Sequence, residues 1–185
     1  MTEIRTAQAG DICVLLMPEP EELPPLRQMQ EELMRTFGGW IAAEVHVTCQ
    51  RFEPPFDRKI HEVVLNLRTA LARFPAFPVI ASGLTQFHAP FWQSYVLRWQ
   101  VEYTPEFKAF ILALDGLLEQ TGIIPHYPHN TPFTCSALDL ITPVQLEFAP
   151  RFNYPLHLFT ARRVVFSRVM GLNDFETLGF AQLSQ

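Results

Sequence analysis

Two hydrophobic periods alternate along this chain, and their order limits the folds open to it. Three stretches repeat apolar residues at helical spacing: 26–37, 60–71 and 107–118. The runs around them alternate or are uniformly apolar, as strands are: 11–20 (stopped by Pro18), 42–52, 77–87, 94–103 and 155–169. This order favours a single α+β domain over 1–185, with two sheet-bearing lobes facing each other.

The composition is that of a globular chain. Apolar residues make up 48% of the 185, and charged residues 18%. The net charge of −5 argues against a long nucleic acid as partner and favours short substrates. Cys13, Cys49 and Cys135 lack paired spacing, so we expect buried, reduced thiols. Because no signal-peptide pattern and no apolar run near about 18 residues occurs, the sequence predicts a cytoplasmic protein.

The stretch EVHVTCQRF, residues 44–52, places a histidine and a threonine two residues apart in a strand-like alternation. The polar residues share one parity and the apolar residues the other: His46, Thr48 and Gln50 against Val45, Val47 and Cys49. On a strand, His46 and Thr48 would share the face turned away from the core, roughly 6–7 Å apart. Because any polar strand face can hold a histidine and a threonine, the value of this pair as evidence of a functional site depends on whether the sequence contains a second copy.

That second copy lies in HYPHNTPFTC, residues 126–135. His129 and Thr131 again flank one residue, Asn130, and His129 lies 83 residues after His46. Each motif follows a long amphipathic helix and opens a predicted strand, and this equivalent placement is stronger evidence than the short motif itself. Pro132 removes a backbone donor, which predicts a bulge or an edge position there.

With these paired motifs the chain resembles the 2H phosphoesterase superfamily, in particular its bacterial 2'-5' RNA ligase and RNA 2',3'-cyclic phosphodiesterase branch. The resemblance runs from ICVLLMP through HVTCQRF to ARRVVFSRV and covers nearly the whole chain. It implies two pseudo-symmetric lobes whose antiparallel sheets line a central cleft, with helices outside. Asn130 departs from the family, which usually has an apolar residue at that position.

The resemblance implies a metal-independent phosphodiesterase that opens 2',3'-cyclic phosphates of nucleotides or RNA ends to 2'-phosphates, with 2'-5' RNA ligation as a weaker activity. It makes His46 the proton donor to the leaving group and His129 the acceptor from water, with Thr48 and Thr131 as phosphate donors. Imidazole can take either proton role near neutral pH, and hydroxyls can stabilise the phosphate charge. We expect no cofactor and no metal.

Further residues are candidates for substrate binding. Arg98 takes the polar face of its predicted strand and suits either a phosphate contact or a surface salt bridge. Phe87 and Tyr95 flank an aromatic-rich loop, where base stacking or ordinary core packing accounts for them. His126 is an alternative second histidine, although it lacks a hydroxyl partner two residues on.

Two alternative functions stay open. One is a phosphodiesterase for another cyclic phosphate, such as ADP-ribose 1'',2''-cyclic phosphate. The other is a catalytically silent nucleotide- or RNA-binding module on the same scaffold, which the irregular second motif favours. We expect the partner to be a cyclic nucleotide or a short RNA end, with no membrane and no obligate protein partner, and the chain to be a monomer.

Overall fold

The protein is described by a computed structural model that covers residues 7–55, 59–126, 132–172 and 174–184. It is an α+β fold, as the sequence predicts. In chain order the main elements are β1 (Ile12–Met17), α1 (Leu23–Phe37), β2 (Trp40–Ile41), β3 (Val47–Phe52), α2 (Ile60–Leu71), β4 (Phe77–Ala89), β5 (Ser94–Val101), α3 (Pro105–Gln120), β6 (Thr134–Leu140), β7 (Leu156–Ala161), β8 (Arg163–Gly171) and β9 (Asp174–Gln182).

The three helices form where the helical spacing predicts them. α3 begins after Thr104, whose hydroxyl accepts a hydrogen bond from the Phe107 amide at 3.3 Å, as expected of an N-cap before a proline. The apolar stripes of all three helices pack against one face of the strands and form the main core. We call this side of the sheet the helix face. No helix of the described residues is both long and apolar enough to span a membrane.

The described strands form one antiparallel sheet in the order β7-β4-β5-β6-β3-β1-β8-β9, with β2 also paired to β6. This arrangement differs from two separate sheet-bearing lobes, and the two-lobed pseudo-symmetry is not confirmed. The two halves of the sheet meet between β3 and β6. Among the described residues, the register between β3 and β6 contains one pair, Val47 opposite Cys135. We call this junction the seam.

The sheet face turned away from the helices is concave. A small apolar cluster covers it on the β1–β8 side, formed by Cys13, Leu15, Val165 and Val169. Trp92 packs against this cluster, although it lies between β4 and β5 in the other half of the sheet. Such a contact requires the sheet to curl around this face. The chain also passes from β7, at one end of the strand order, to β8, near the other end, through Arg162 alone.

Three strands differ from the sequence prediction. The strand expected over 42–52 begins only at Val47, because side chains bond the carbonyls before it: Arg27 donates to Ala42 O at 2.7 Å and also to Ala43 O. The other two are β2 and β9, which the sequence did not predict. The three cysteines are free and buried, as expected. Burial raises the pKa of Cys13 and of Cys135 to about 12.

Candidate active site at the seam

His46 immediately precedes β3 at the seam and is buried, with 6% of its surface exposed. Its ring meets the ring of Phe175 edge to face at 5.0 Å between centroids. Since Phe175 packs on the apolar cluster of the concave face, the imidazole lies on that face, away from the helices. Its Nδ1 lies 2.9 Å from the Glu44 carbonyl oxygen. A carbonyl only accepts hydrogen bonds, so Nδ1 carries the hydrogen and the neutral ring has its lone pair on Nε2.

The His46 ring is held neutral. Its pKa is lowered from 6.5 to about 3, mainly by burial and then by the positive charge of Arg98, while the hydrogen bond to the Glu44 carbonyl opposes both. Burial acts in this direction because it penalises the charged imidazolium. At neutral pH, the ligand-free protein therefore has at His46 a proton acceptor, not a proton donor.

Thr48 lies on the concave face, as the alternation predicts, and is half-buried. It pairs with Leu15, a member of the apolar cluster on that face. Gln50, which the alternation assigned to the same face, lies on the opposite one. The register between β1 and β3 shifts between the pairs Val14–Gln50 and Leu15–Thr48. This bulge reverses the alternation beyond it.

The bulge has two consequences for side chains. Gln50 turns to the helix face and donates from Nε2 to Asp115 Oδ1 of α3 at 2.8 Å. Arg51 instead pairs with Cys13 and so joins the concave face, where its Nε lies 3.8 Å from Asp11 Oδ2. The sequence reading missed Arg51 because the bulge gives no signal in a single sequence.

Arg98 and Phe87 lie on the concave face, whereas Tyr95 does not. Arg98 pairs with Thr85 on one side and with Ser136 on the other, while its neighbours Leu97 and Trp99 are buried in the main core. Phe87 pairs with Val96, which lies two residues from Arg98 and faces the same way; 42% of Phe87 is exposed.

Tyr95 has the opposite parity. It packs against the main core and meets the His88 ring at 4.8 Å between centroids. The structure therefore does not bring Tyr95 to His46 and Arg98. This position agrees with the interpretation of Tyr95 as a residue of the core.

Besides Arg51, three residues on the concave face were not found from the sequence. Trp40 is 59% exposed and stands in a row across the sheet with Asp139, Val96 and Phe87. Phe175 covers the His46 ring. Ser136 is buried, and its hydroxyl contacts the His46 amide. The stretch TCSAL, residues 134–138, contained a signal for Ser136. Alternation along a strand places Ser136 on the face opposite to that of the buried Cys135.

His129 and Thr131, the second motif, lie outside the described residues. His126 is described and half-buried, and its amide donates to Arg51 O at 2.7 Å. Across 7–55, 59–126, 132–172 and 174–184, no three His, Cys, Asp or Glu side chains are grouped so that they could hold a metal ion.

Comparison with solved structures identifies similar folds. E. coli LigT complexed with NADP+ superposes with a TM-score of 0.64 at 12% identity, over 96% of this chain and 100% of that chain. A phosphoesterase gives a TM-score of 0.65 at 12% identity, over 96% and 100%. The chain shares their fold. TT0787 of Thermus thermophilus gives 0.64 at 18% identity, over 94% and 97%. The expected resemblance to phosphoesterases is thus confirmed at the level of fold, while no family sequence model and no curated protein sequence matches the chain.

Proposed function

We propose that this chain is a phosphodiesterase that opens 2',3'-cyclic phosphates of nucleotides or short RNA ends at the seam. One observation carries the proposal: an imidazole, a hydroxyl and a guanidinium, from His46, Thr48 and Arg98, share the concave face. The fold supports it, because E. coli LigT, which shares the fold, has been crystallised with 3'-AMP, with ATP and with phosphate.

The electrostatics of this face suit a phosphodiester anion. The charge of Arg98 acts on the His46 ring strongly enough to lower its pKa, so the guanidinium lies within electrostatic range of the imidazole. An anion placed between the two would be attracted by Arg98 and could accept a hydrogen bond from the Thr48 hydroxyl. Although the whole chain is acidic, Arg98 supplies a positive charge at the proposed phosphate position.

The reaction needs one proton taken and one given. Water attacks phosphorus, the P–O3' bond breaks, and the product is a nucleoside 2'-phosphate. By the resemblance, His129 takes the proton from water and His46 gives one to the leaving O3'. His46 must then be protonated in the complex, and the bound phosphate supplies the reason: its negative charge favours the imidazolium and opposes the effects of burial and Arg98.

The base of the nucleotide would lie on the aromatic side of the same face. Phe87 and Trp40 stand in one row across the sheet, three strand spacings or about 14 Å apart. Val96 belongs to the same row and is two residues from Arg98 along β5. Stacking on an aromatic side chain contributes about 1–3 kcal/mol per base and tolerates every base. The proposed substrate is therefore short, with its phosphate at Arg98 and its base toward Phe87.

The test is incubation with the four 2',3'-cyclic mononucleotides in the absence of metal, followed by identification of the phosphate position in the products. We expect 2'-phosphates, and His46→Asn should abolish turnover while the variant stays folded. ADP-ribose 1'',2''-cyclic phosphate is the comparison substrate. If it alone is opened, the nucleotide assignment is wrong but the chemistry stands.

A catalytically silent binding module is the second candidate, and the burial of His46 beneath Phe175 favours it. Calorimetry with 3'-AMP separates the two candidates. Binding without turnover of any cyclic phosphate would establish the silent module, whereas turnover that is lost in His46→Asn would exclude it.

A further inference from the structure

The Ser136 hydroxyl links three groups of the segment that carries His46. Its Oγ accepts a hydrogen bond from the His46 amide at 2.9 Å and donates to the Glu44 carbonyl at 2.6 Å. It also lies 3.4 Å from His46 Nδ1. Ser136 is 1% exposed, so these contacts are shielded from water. One side chain on β6 therefore fixes both the backbone and the ring of His46.

The Glu44 carbonyl selects one form of the imidazole, and Ser136 holds that carbonyl in place. The Glu44 carbonyl oxygen receives two hydrogen bonds, one from Ser136 Oγ and one from His46 Nδ1. With its single hydrogen directed to Glu44, Ser136 has none to offer to Nδ1, so the hydrogen between the ring and Glu44 resides on Nδ1. The lone pair is then on Nε2, the nitrogen on the other side of the ring.

The position of Ser136 gives this contact a second consequence. Ser136 belongs to β6 and His46 precedes β3, so the contact crosses the seam. The Ser136 amide also donates to the His46 carbonyl at 3.1 Å, beside the register pair of Val47 and Cys135. Ser136 thus sets where the His46 ring stands relative to the half of the sheet that carries Arg98.

We propose that Ser136 is a positioning residue for His46. By holding the Glu44 carbonyl and the His46 backbone, it keeps the imidazole in the Nδ1–H form and in place relative to β6, without contacting the substrate itself. The proposal rests on the proposed function for its effect on catalysis. Its structural part, the tautomer and the orientation of the ring, stands independently of any substrate.

The experiment uses Ser136→Ala in protein labelled with ¹⁵N at its six histidines. His46→Asn assigns the His46 ring signals by their loss. In the wild type we expect Nε2 to show the shift of an unprotonated nitrogen at neutral pH. In Ser136→Ala the Glu44 carbonyl and the His46 amide lose their shared partner, so the carbonyl can move away from Nδ1 and we expect a shift toward a mixture of tautomers. Outer partners that fix a histidine tautomer at metal sites typically contribute 10–100-fold to activity, so we expect kcat to fall about tenfold with KM unchanged.

The controls separate positioning from stability. Ser167→Ala removes another buried serine hydroxyl, on β8, and should leave the His46 signals as in the wild type. Ser136→Cys keeps a small side chain with a weaker donor and should give intermediate values. It also carries the measurement if Ser136→Ala does not fold. Unchanged His46 signals in the Ser136 variants would overturn the proposal. A wild type without turnover would contradict only the proposed function, because the tautomer measurement needs no substrate.

Discussion

The buried, neutral His46 makes the stability of this protein depend on pH in a direction and range that the structure fixes. The unfolded chain binds a proton at His46 near pH 6.5, whereas the folded chain does so only near pH 3. Between these values the unfolded state holds more protons, so the free energy of unfolding falls as pH falls. The contribution of the neutral His46 ring to the free energy of unfolding is complete above pH 6.5 and is lost progressively on acidification toward pH 3.

The expected loss can be worked out for a practical interval. Each unit of pKa difference between the folded and unfolded states corresponds to about 1.36 kcal/mol. Between pH 7 and pH 5 the unfolded chain becomes protonated at His46 over roughly 1.5 pH units below 6.5, while the folded chain stays neutral. This lowers the free energy of unfolding by about 2 kcal/mol. His46→Asn removes the titrating ring but keeps a side-chain N–H for the Glu44 carbonyl. We expect its free energy of unfolding to fall by about 2 kcal/mol less than that of the wild type over this interval.

Urea unfolding followed by tryptophan fluorescence at pH 7 and pH 5 measures both losses, and the difference between proteins cancels the contributions of other groups. His61→Asn is the matched control, since it removes an exposed imidazole from α2. It should behave as the wild type does. Equal losses in the wild type and in His46→Asn would refute the reasoning, because the ring would then not be held neutral by the fold.

Four further outcomes are expected. Thr48→Val should lower kcat for a cyclic mononucleotide by about 10²–10³-fold, the usual effect of losing one preorganised donor, and should leave the melting temperature unchanged. Thr48→Ser should keep most activity, whereas a wild-type rate in Thr48→Val would make Thr48 an ordinary surface residue. Turnover should survive EDTA, and a loss that a divalent ion restores would disprove metal independence. Phe87→Ala should raise KM about tenfold, as expected from one stacked base, whereas the exposed Phe91→Ala should not; a constant KM would exclude stacking on Phe87. Gln50→Ala should cost about 1–3 kcal/mol in urea unfolding through its bond to Asp115, yet leave affinity for 3'-AMP unchanged, and weakened binding would contradict its place on the helix face.

The helices and most strands could be predicted because their signal is local. Apolar spacing depends only on neighbouring residues, so α1, α2 and α3 follow from the sequence, and the face of Thr48 follows from simple alternation. Gln50 was assigned to the wrong face because a bulge depends on how two strands align, which no local pattern encodes. The joining of the halves into one sheet was missed for the same reason.

The candidate site divides in the same way. His46 and Thr48 could be found because a repeated motif marks them, and Arg98 because its strand alternates cleanly. Ser136 and Phe175 act through distant partners: Ser136 contacts a segment 90 residues earlier, and Phe175 belongs to a strand that the sequence reading did not include. Their chemical types are common ones, so only the fold reveals that they meet His46.

The passage from β7 to β8 through Arg162 limits how far the curled sheet can open. Two consecutive peptide units span at most about 7.6 Å between their outer Cα atoms, so Ala161 and Arg163 can never lie farther apart than that. The bonds of the main chain therefore set a maximum circumference at this end, whatever the side chains do. Lengthening the Arg162 link would remove this limit and let the sheet open further at this end.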